Sequence, residues 1–557
     1  MRRSLRGVIS LAMMLAPLAA RAQDADLGAH VDKIVAPLVS RTGPPGPGCT
    51  IGVARDGSQV ERAFGLADIE LGVPLTPESI LESGSVAKQF TAASIVLLAI
   101  EGKLGIDEPV KKYIPELPGY GAPLTIRNLL NHTSGIRDWG SVLELTGYGR
   151  GARVISQALA LDVITHQRGL DFKPGAEYSY SNSGYTLLAT IVERVSGQSL
   201  PTFTAERFFK PLGMSHSQWR DDYTRLVQGR AQAYAPSILA GWKLDMPFMN
   251  VYGNGGLLTT VGDWLKWNAM LESRSMGSAL VDSLERQGVL NDGHRIAYAL
   301  GLEVTNYKGK RQVAHSGSTG GYSTYLTRFP ELKLSVAVLC NGSNTNPTAL
   351  AMRLVEEIAG PFPAPPAPDT VTMPAAELRR RAGLWREEST HLSAQTVVEG
   401  GMLRIVGGAI LHPLRDGAFL AANGPITWRF ELGENGKPSR ARRTAPDGEL
   451  HYVSESPWTP TAAELRAIAG DWHSVEADAS FRIVVDSGRA VLTQRPGTRE
   501  VLRPLYRDHF GPAQGNGEVF WFARDAKGVP TMHIGASRMR DMPFQRTLPA
   551  LESAPRR

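Results

Sequence analysis

The segment AAELRRRAGLW at 375–385 recurs as AAELRAIAGDW at 462–472, with eight of eleven residues identical and Trp385 and Trp472 in corresponding places. A duplication of this kind places two like units in the C-terminal part of the chain. Each copy leads into short stretches of alternating polar and apolar residues, MLRIVGGAIL and SFRIVVDSGRAVLTQ among them. Gly, Asp and Asn break these stretches, and there is almost no helical period. The expectation is two β-barrels or sandwiches over 371–458 and 459–557, each opened by a short helical turn. No catalytic constellation stands out in either. Ahead of them, GPFPAPPAPD carries five prolines in ten residues, which can neither continue a helix nor enter a central strand. It reads as a stiff linker at 360–370.

Residues 23–359 have a different texture. Strand-like alternation at 49–65 turns at Asp56-Gly57, a hairpin signal. Helical patterns follow at 85–102, 125–131 and 185–196, and strand-like runs return at 322–329 and 334–339. Asn346 as cap with Pro347 in the first turn opens a last helix. Strands at both ends with helices between predict one α+β domain whose sheet joins the two ends of the segment. Cys49 and Cys340 would then lie near each other, either as a disulfide or as two free thiols.

Arg2, Arg3 and Arg6, the apolar stretch 8–20 and the small-x-small site Ala20-Arg21-Ala22 read as a signal peptide over 1–22. The stretch is too short for a membrane span, so a periplasmic or secreted chain cleaved after Ala22 is expected. Removing it deletes Arg2, Arg3, Arg6 and Arg21 and no acid, and the net charge of +6 falls to +2. That balance excludes the clustered basic excess of a nucleic-acid binder. The twelve histidines and two cysteines show no zinc-ligand spacing, so neither a metal nor another cofactor is expected.

The run SGSVAKQFTAASIVLLAI at 83–100 puts one lysine, Lys88, one turn after Ser85 at the mouth of an otherwise apolar helix. A buried charge is costly without a reason. Three residues apart, the two side chains share a face. A serine hydroxyl needs a base, and a desolvated lysine can serve as one. The N–H of Ser85 at the helix start can also stabilise an oxyanion. Ser85-Lys88 is the single Ser-x-x-Lys in the chain. Tyr180-Ser181-Asn182, just before a helix, offers a phenol to relay a proton and an amide to hold a carbonyl. Tyr252-Gly253-Asn254 has the same spacing, but Tyr180 has the loop-then-helix setting. His315-Ser316-Gly317 ends a strand-like run, and small residues including Ser318 follow, so the N–H of Ser318 could complete an oxyanion hole. His-x-Gly recurs at 509–511 and 533–535, within the β repeat. His132 reads as a structural helix-end residue.

Taken in order, Ser85-x-x-Lys88, Tyr180-x-Asn182 and His315-Ser316-Gly317 resemble the three-motif active site of serine β-lactamases and penicillin-binding proteins, on the class C, esterase and D-aminopeptidase-like branch. TIRNLLNHTSGI and GNGGLLTTVGDWLKW also look like segments of that family, and the resemblance spans about 28–360. It implies a helical subdomain on a five-stranded antiparallel sheet whose first and last strands are neighbours, which favours the Cys49–Cys340 disulfide. It implies Ser85 as acylated nucleophile, Lys88 as base and Tyr180 as proton shuttle. Asn182 would bind the substrate carbonyl, with the Ser85 and Ser318 N–H groups as oxyanion hole. His315 departs from the lysine of β-lactamases and transpeptidases, and a histidine meets a carboxylate with only fractional charge at neutral pH. The resemblance therefore implies an exported serine hydrolase acting on peptides or small molecules, as a D-stereospecific peptidase or amidase, with esterase or weak β-lactamase action as the alternative. A non-catalytic peptidoglycan- or peptide-binding protein is the reading from another class. A catalytic domain followed by two barrels is similar to D-aminopeptidases, in which a loop of the last domain limits the site; the Gly-rich 511–518 could do so here.

Overall fold

The computed structural model describes residues 26–547, apart from 40–45, 150, 152, 364–367, 435, 447, 495–496, 516 and 525–527. The proposed signal peptide and the middle of the Pro-rich linker lie outside the described residues.

A six-stranded antiparallel sheet forms the frame of the first part, in the order Glu303–Tyr307, Lys310–Thr319, Tyr322–Phe329, Leu334–Cys340, Cys49–Arg55, Ser58–Phe64. The resemblance implied five strands. The sixth, Glu303–Tyr307, is an edge strand with no fully buried residue, so it carries no apolar alternation to betray it. The hairpin at Asp56-Gly57 forms with both residues at positive φ, 50° and 89°, as a tight two-residue turn between twisted strands requires. Cys49 pairs with Cys340 in the sheet register, and the two are joined by a disulfide.

The sheet is covered on both faces. The helix at 26–39 and the helix Pro347–Ala359 pack on one side with Ile51, Val53, Val336 and Val338. Asn346 caps the latter by accepting the Ala349 N–H. The other face carries a larger core around the helix Lys88–Ile100, which is buried on almost every side. That explains its nearly all-apolar sequence. Against it pack the helices Asn182–Ser196 and Val261–Ser273, with Phe90 held among Phe209, Trp264 and Trp267.

Downstream, two closed eight-stranded antiparallel barrels run from Gly383 to Glu455 and from Gly470 to Thr547. Closure removes the exposed edges that so many short strands would otherwise present. Each is preceded by a short helix, Ala375–Arg379 and Ala462–Ile468, and Trp385 and Trp472 are both fully buried in the first strand of their barrels. The duplicated sequence is thus a helix-plus-first-strand unit whose tryptophan seeds a barrel core. Among the described residues no helix is long and apolar enough to cross a membrane.

Candidate active site

The chain turns through Gly84 into the helix bearing Lys88, and this turn lies against the end of strand Lys310–Thr319. Gly84 has φ +53°, and a Cβ there would sit 2.6 Å from the Ser318 nitrogen. A Cβ on Gly317 would sit 2.1 Å from the Ser83 oxygen and 3.0 Å from the Ser85 nitrogen. Both glycines are needed because two backbones approach where side chains leave no room. The approach brings the backbone nitrogens of Ser85 and Ser318 close to one another.

Lys88 is fully buried. Its Nζ donates to Ser85 Oγ at 3.2 Å, to Asn182 Oδ1 at 2.9 Å and to the Asn254 carbonyl at 2.5 Å. Nucleophile and amine are therefore within proton-transfer distance. Asn182, with its oxygen engaged by the ammonium, keeps its Nδ2 donors for another acceptor. Of the two Tyr-x-Asn segments, one contributes side chains and the other the Asn254 carbonyl. The ring of Tyr180 lies 4.8 Å from Lys88 Nζ. Its Oη is buried and faces the Ser85 hydroxyl. Burial pushes the phenol well above its ordinary range, and the neighbouring Ser85 hydroxyl and Arg538 guanidinium oppose that.

Asn182 is placed by the start of its own helix. Asp138 Oδ2 accepts the Asn182 N–H at 2.7 Å, while Oδ1 caps the helix Trp139–Glu144 through Gly140 and Ser141. Ser183 Oγ accepts from Trp139 N and donates to the Arg137 carbonyl. Two helix entries are thereby locked together.

His315 is 3% exposed, and burial, aided by the Lys88 charge, drives its pKa down to about 3. Its Nδ1 lies 2.6 Å from the Ser316 carbonyl, which can only accept, so Nδ1 carries the proton. Nε2 then accepts from the Tyr298 hydroxyl at 3.0 Å. His315 is thus a neutral ring with both nitrogens engaged. His132, at the end of the helix Ile126–Leu130 with φ +57°, stacks 4.1 Å from the Tyr180 ring and accepts the Ser181 N–H through Nδ1. It holds the Tyr180 segment, a more specific task than ending a helix.

Nothing in the sequence marks Asp138 or Tyr298. Asp138 reads as an ordinary helix cap, and its second contact depends on a residue 44 positions away. Nor did it mark the part of the last barrel that reaches the site. In 511–518, Pro512 and Gly515 carbonyls instead accept from Arg503 of the same barrel. The segment beside Tyr180 is Ser537-Arg538, whose Arg538 guanidinium lies 4.9 Å from the Tyr180 ring.

A serine hydroxyl, a buried lysine amine, a tyrosine and an asparagine thus meet in one place. The beta-lactamase family model matches residues 31–360, and the chain belongs to that family. Among its relatives, the D-aminopeptidase of Gluconobacter oxydans (strain 621H) is 25% identical over 93% of this chain and 99% of its own length. A D-aminopeptidase of Brucella anthropi is 26% identical over 90% of this chain and 95% of its own. Among solved structures, the octameric penicillin-binding protein homologue from Pyrococcus abyssi superposes with a TM-score of 0.53 at 22% identity, covering 94% of this chain and 99% of that one. The chain is a serine hydrolase, and its likeness to the two aminopeptidases runs through both barrels. Among the described residues no group of His, Cys, Asp and Glu is placed to hold a metal ion.

Proposed function

We propose that this chain is an exported, D-stereospecific peptidase or amidase that works through an acyl-enzyme on Ser85. The carrying observation is Lys88 Nζ within hydrogen-bond distance of both Ser85 Oγ and Asn182 Oδ1, beside the Ser85 and Ser318 backbone nitrogens. With Lys88 as the free amine, its extra proton given up to solvent, Ser85 Oγ attacks the scissile carbonyl as the Ser85 proton passes to Lys88 Nζ, and the carbonyl oxygen takes negative charge between the two N–H groups. Asn182 Nδ2 holds the acyl portion. Tyr180 relays the proton to the nitrogen of the leaving amine, the C–N bond breaks, and Ser85 is left as an ester. Water then adds along the same proton path, freeing the acid and restoring the Ser85 hydroxyl.

The end-to-end likeness to D-aminopeptidases supports D-stereospecificity, and the N-terminal segment 1–22 supports export. Esterase action would use the same acylation chemistry. The neutral, fully engaged His315 weighs against efficient β-lactam hydrolysis, because no permanent charge stands there to meet the lactam carboxylate. The test is intact-mass detection of an adduct on Ser85 with a fluorophosphonate. It is joined to turnover of D- and L-aminoacyl amides, p-nitrophenyl esters and a chromogenic cephalosporin. An adduct absent in Ser85→Ala, with faster turnover of D-amides than L-amides, is expected. No adduct overturns the acyl-enzyme, and turnover of the cephalosporin alone overturns the reading of His315. Export is tested by the N-terminus of protein recovered outside the cytoplasm, expected at Gln23.

A further inference from the structure

A cavity of about 320 Å³ opens beside Tyr180 where three parts of the chain meet. Tyr178 and Tyr180 line it from the catalytic part, Glu387 and Ser389 from the first barrel, and Arg538 and Arg540 from the second. Its charged groups are not equivalent. Arg540 is buried and paired with Glu177 at 2.8 Å. Glu387 is buried and accepts from the N–H and hydroxyl groups of both Ser389 and Thr390. Arg538 differs from both. Its side chain is exposed, and among the described residues no carboxylate lies within ion-pair distance of it. It is not loosely placed, because its carbonyl accepts the Asp138 N–H at 2.9 Å, tying the turn to the residue that also holds the Asn182 helix.

We propose that Arg538 receives a carboxylate on the leaving-group side of the substrate, so that peptides with a free C-terminal carboxylate just beyond the scissile bond are preferred to the corresponding amides. The inference rests on the reading of Tyr180 as the group that hands a proton to the leaving amine. If the leaving amine sits at Tyr180 Oη, the substituent it carries extends into the cavity over which the guanidinium is held. An arginine fork matches a carboxylate with two parallel N–H donors, a geometry no other unpaired group there offers. His315 cannot share the task, since both its ring nitrogens are engaged by Ser316 and Tyr298. The last barrel would thus supply the charge that the strand bearing His315 lacks.

D-alanyl-D-alanine and D-alanyl-D-alaninamide share the same peptide bond and differ in the C-terminal charge, so the ratio of their kcat/KM values for cleavage of that bond, read as release of the N-terminal D-alanine with ammonia release from the amide counted apart, isolates the effect. The ratio also cancels any loss of folded enzyme in a variant. In the full-length protein it is expected to favour the acid by about tenfold or more, the usual size of a charge-assisted contact. It should fall at least fivefold, on the order of the same effect, in Arg538→Ala, stay above that level in Arg538→Lys, and shrink with added salt. A ratio that Arg538→Ala leaves unmoved, with both peptides cleaved, overturns this inference alone. Silence on both peptides also overturns it, and the presence or absence of the Ser85 adduct then shows whether the hydrolase reading falls with it.

Discussion

Three hydrogen bonds hold Lys88 Nζ, and the buried Tyr180 Oη beside it faces the Ser85 hydroxyl. In that place the phenol can pass a proton between Ser85 and a substrate atom. Tyr180→Phe is accordingly expected to lower kcat by about 10²-fold or more while leaving the melting temperature within a few degrees, read by steady-state kinetics and calorimetry. A kcat unchanged in that variant would remove Tyr180 from the proton path. His315 gives an expectation in pH. Its folded pKa of about 3 lies below the ordinary histidine value of 6.5, so below pH 6.5 the unfolded chain binds a proton that the folded one refuses. Stability is therefore lost as pH falls from 6.5 towards 3, and His132, also held far below the ordinary range by burial, adds to the slope. Between pH 7 and 4, His315→Gln should lose less stability than the parent in urea unfolding, on the order of the linkage its depressed pKa predicts. An equal loss in both proteins would contradict the buried neutral ring.

At the scale of elements, the site depends on one approach, that of the turn at Gly84 to the strand end at Gly317-Ser318. Gly317→Ala would place a methyl 2.1 Å from the Ser83 carbonyl oxygen, and backbone cannot yield as a flexible side chain does. The turn must retreat and the Ser85 and Ser318 N–H groups must separate. The expected outcome is a fall in kcat of about 10²-fold or more, the range for a lost oxyanion donor, with the circular dichroism spectrum kept. Activity within threefold of the parent, far from an effect on the order of 10²-fold, would show that the two N–H groups do not work as a pair. The helices and strands themselves were largely legible. The hairpin at Asp56-Gly57, the Asn346-Pro347 helix start and the strands at 322–329 and 334–339 all announce themselves through local chemistry. Glu303–Tyr307 did not, because an edge strand without a buried face has no pattern to show.

Over the whole molecule, the second barrel is seated on the helical part of the catalytic domain rather than tethered to it. Val142 and Leu145 lie in the same apolar cluster as the barrel residues Phe481, Phe520 and Met539. Beside them the nearly buried Arg137 bonds Glu476 at 2.9 Å, and the same Glu476 oxygen accepts the Arg168 N–H at 2.7 Å. Arg137 also lies 3.5 Å from the buried Asp171, so removing Glu476 leaves its charge only partly compensated. Glu476→Ala is expected to cost about 2 kcal/mol in chemical unfolding, against a fraction of that for an exposed pair such as Arg482–Asp471. A cost below about 1 kcal/mol would mean that this ion pair contributes little to seating the barrel. Between the two barrels, His391 stacks 4.3 Å from the Trp521 ring and its Nδ1 lies 2.9 Å from His509 Nε2, so the barrels too are joined by specific contacts.

By itself the sequence determined what short-range chemistry can determine. The Ser85-Lys88 face follows from helical spacing, the barrel pair from a duplicated segment around Trp385 and Trp472, and the meeting of Cys49 with Cys340 from strands at both ends of one sheet. Only the tertiary structure decided that His315 is neutral, that Asp138 holds the Asn182 helix, that the Asn254 carbonyl completes the Lys88 cradle, and that Arg538 stands over Tyr180. The physical reason is common to all four. Each property belongs to a pair of groups far apart in the chain, and burial or approach between them exists only once the domains have packed.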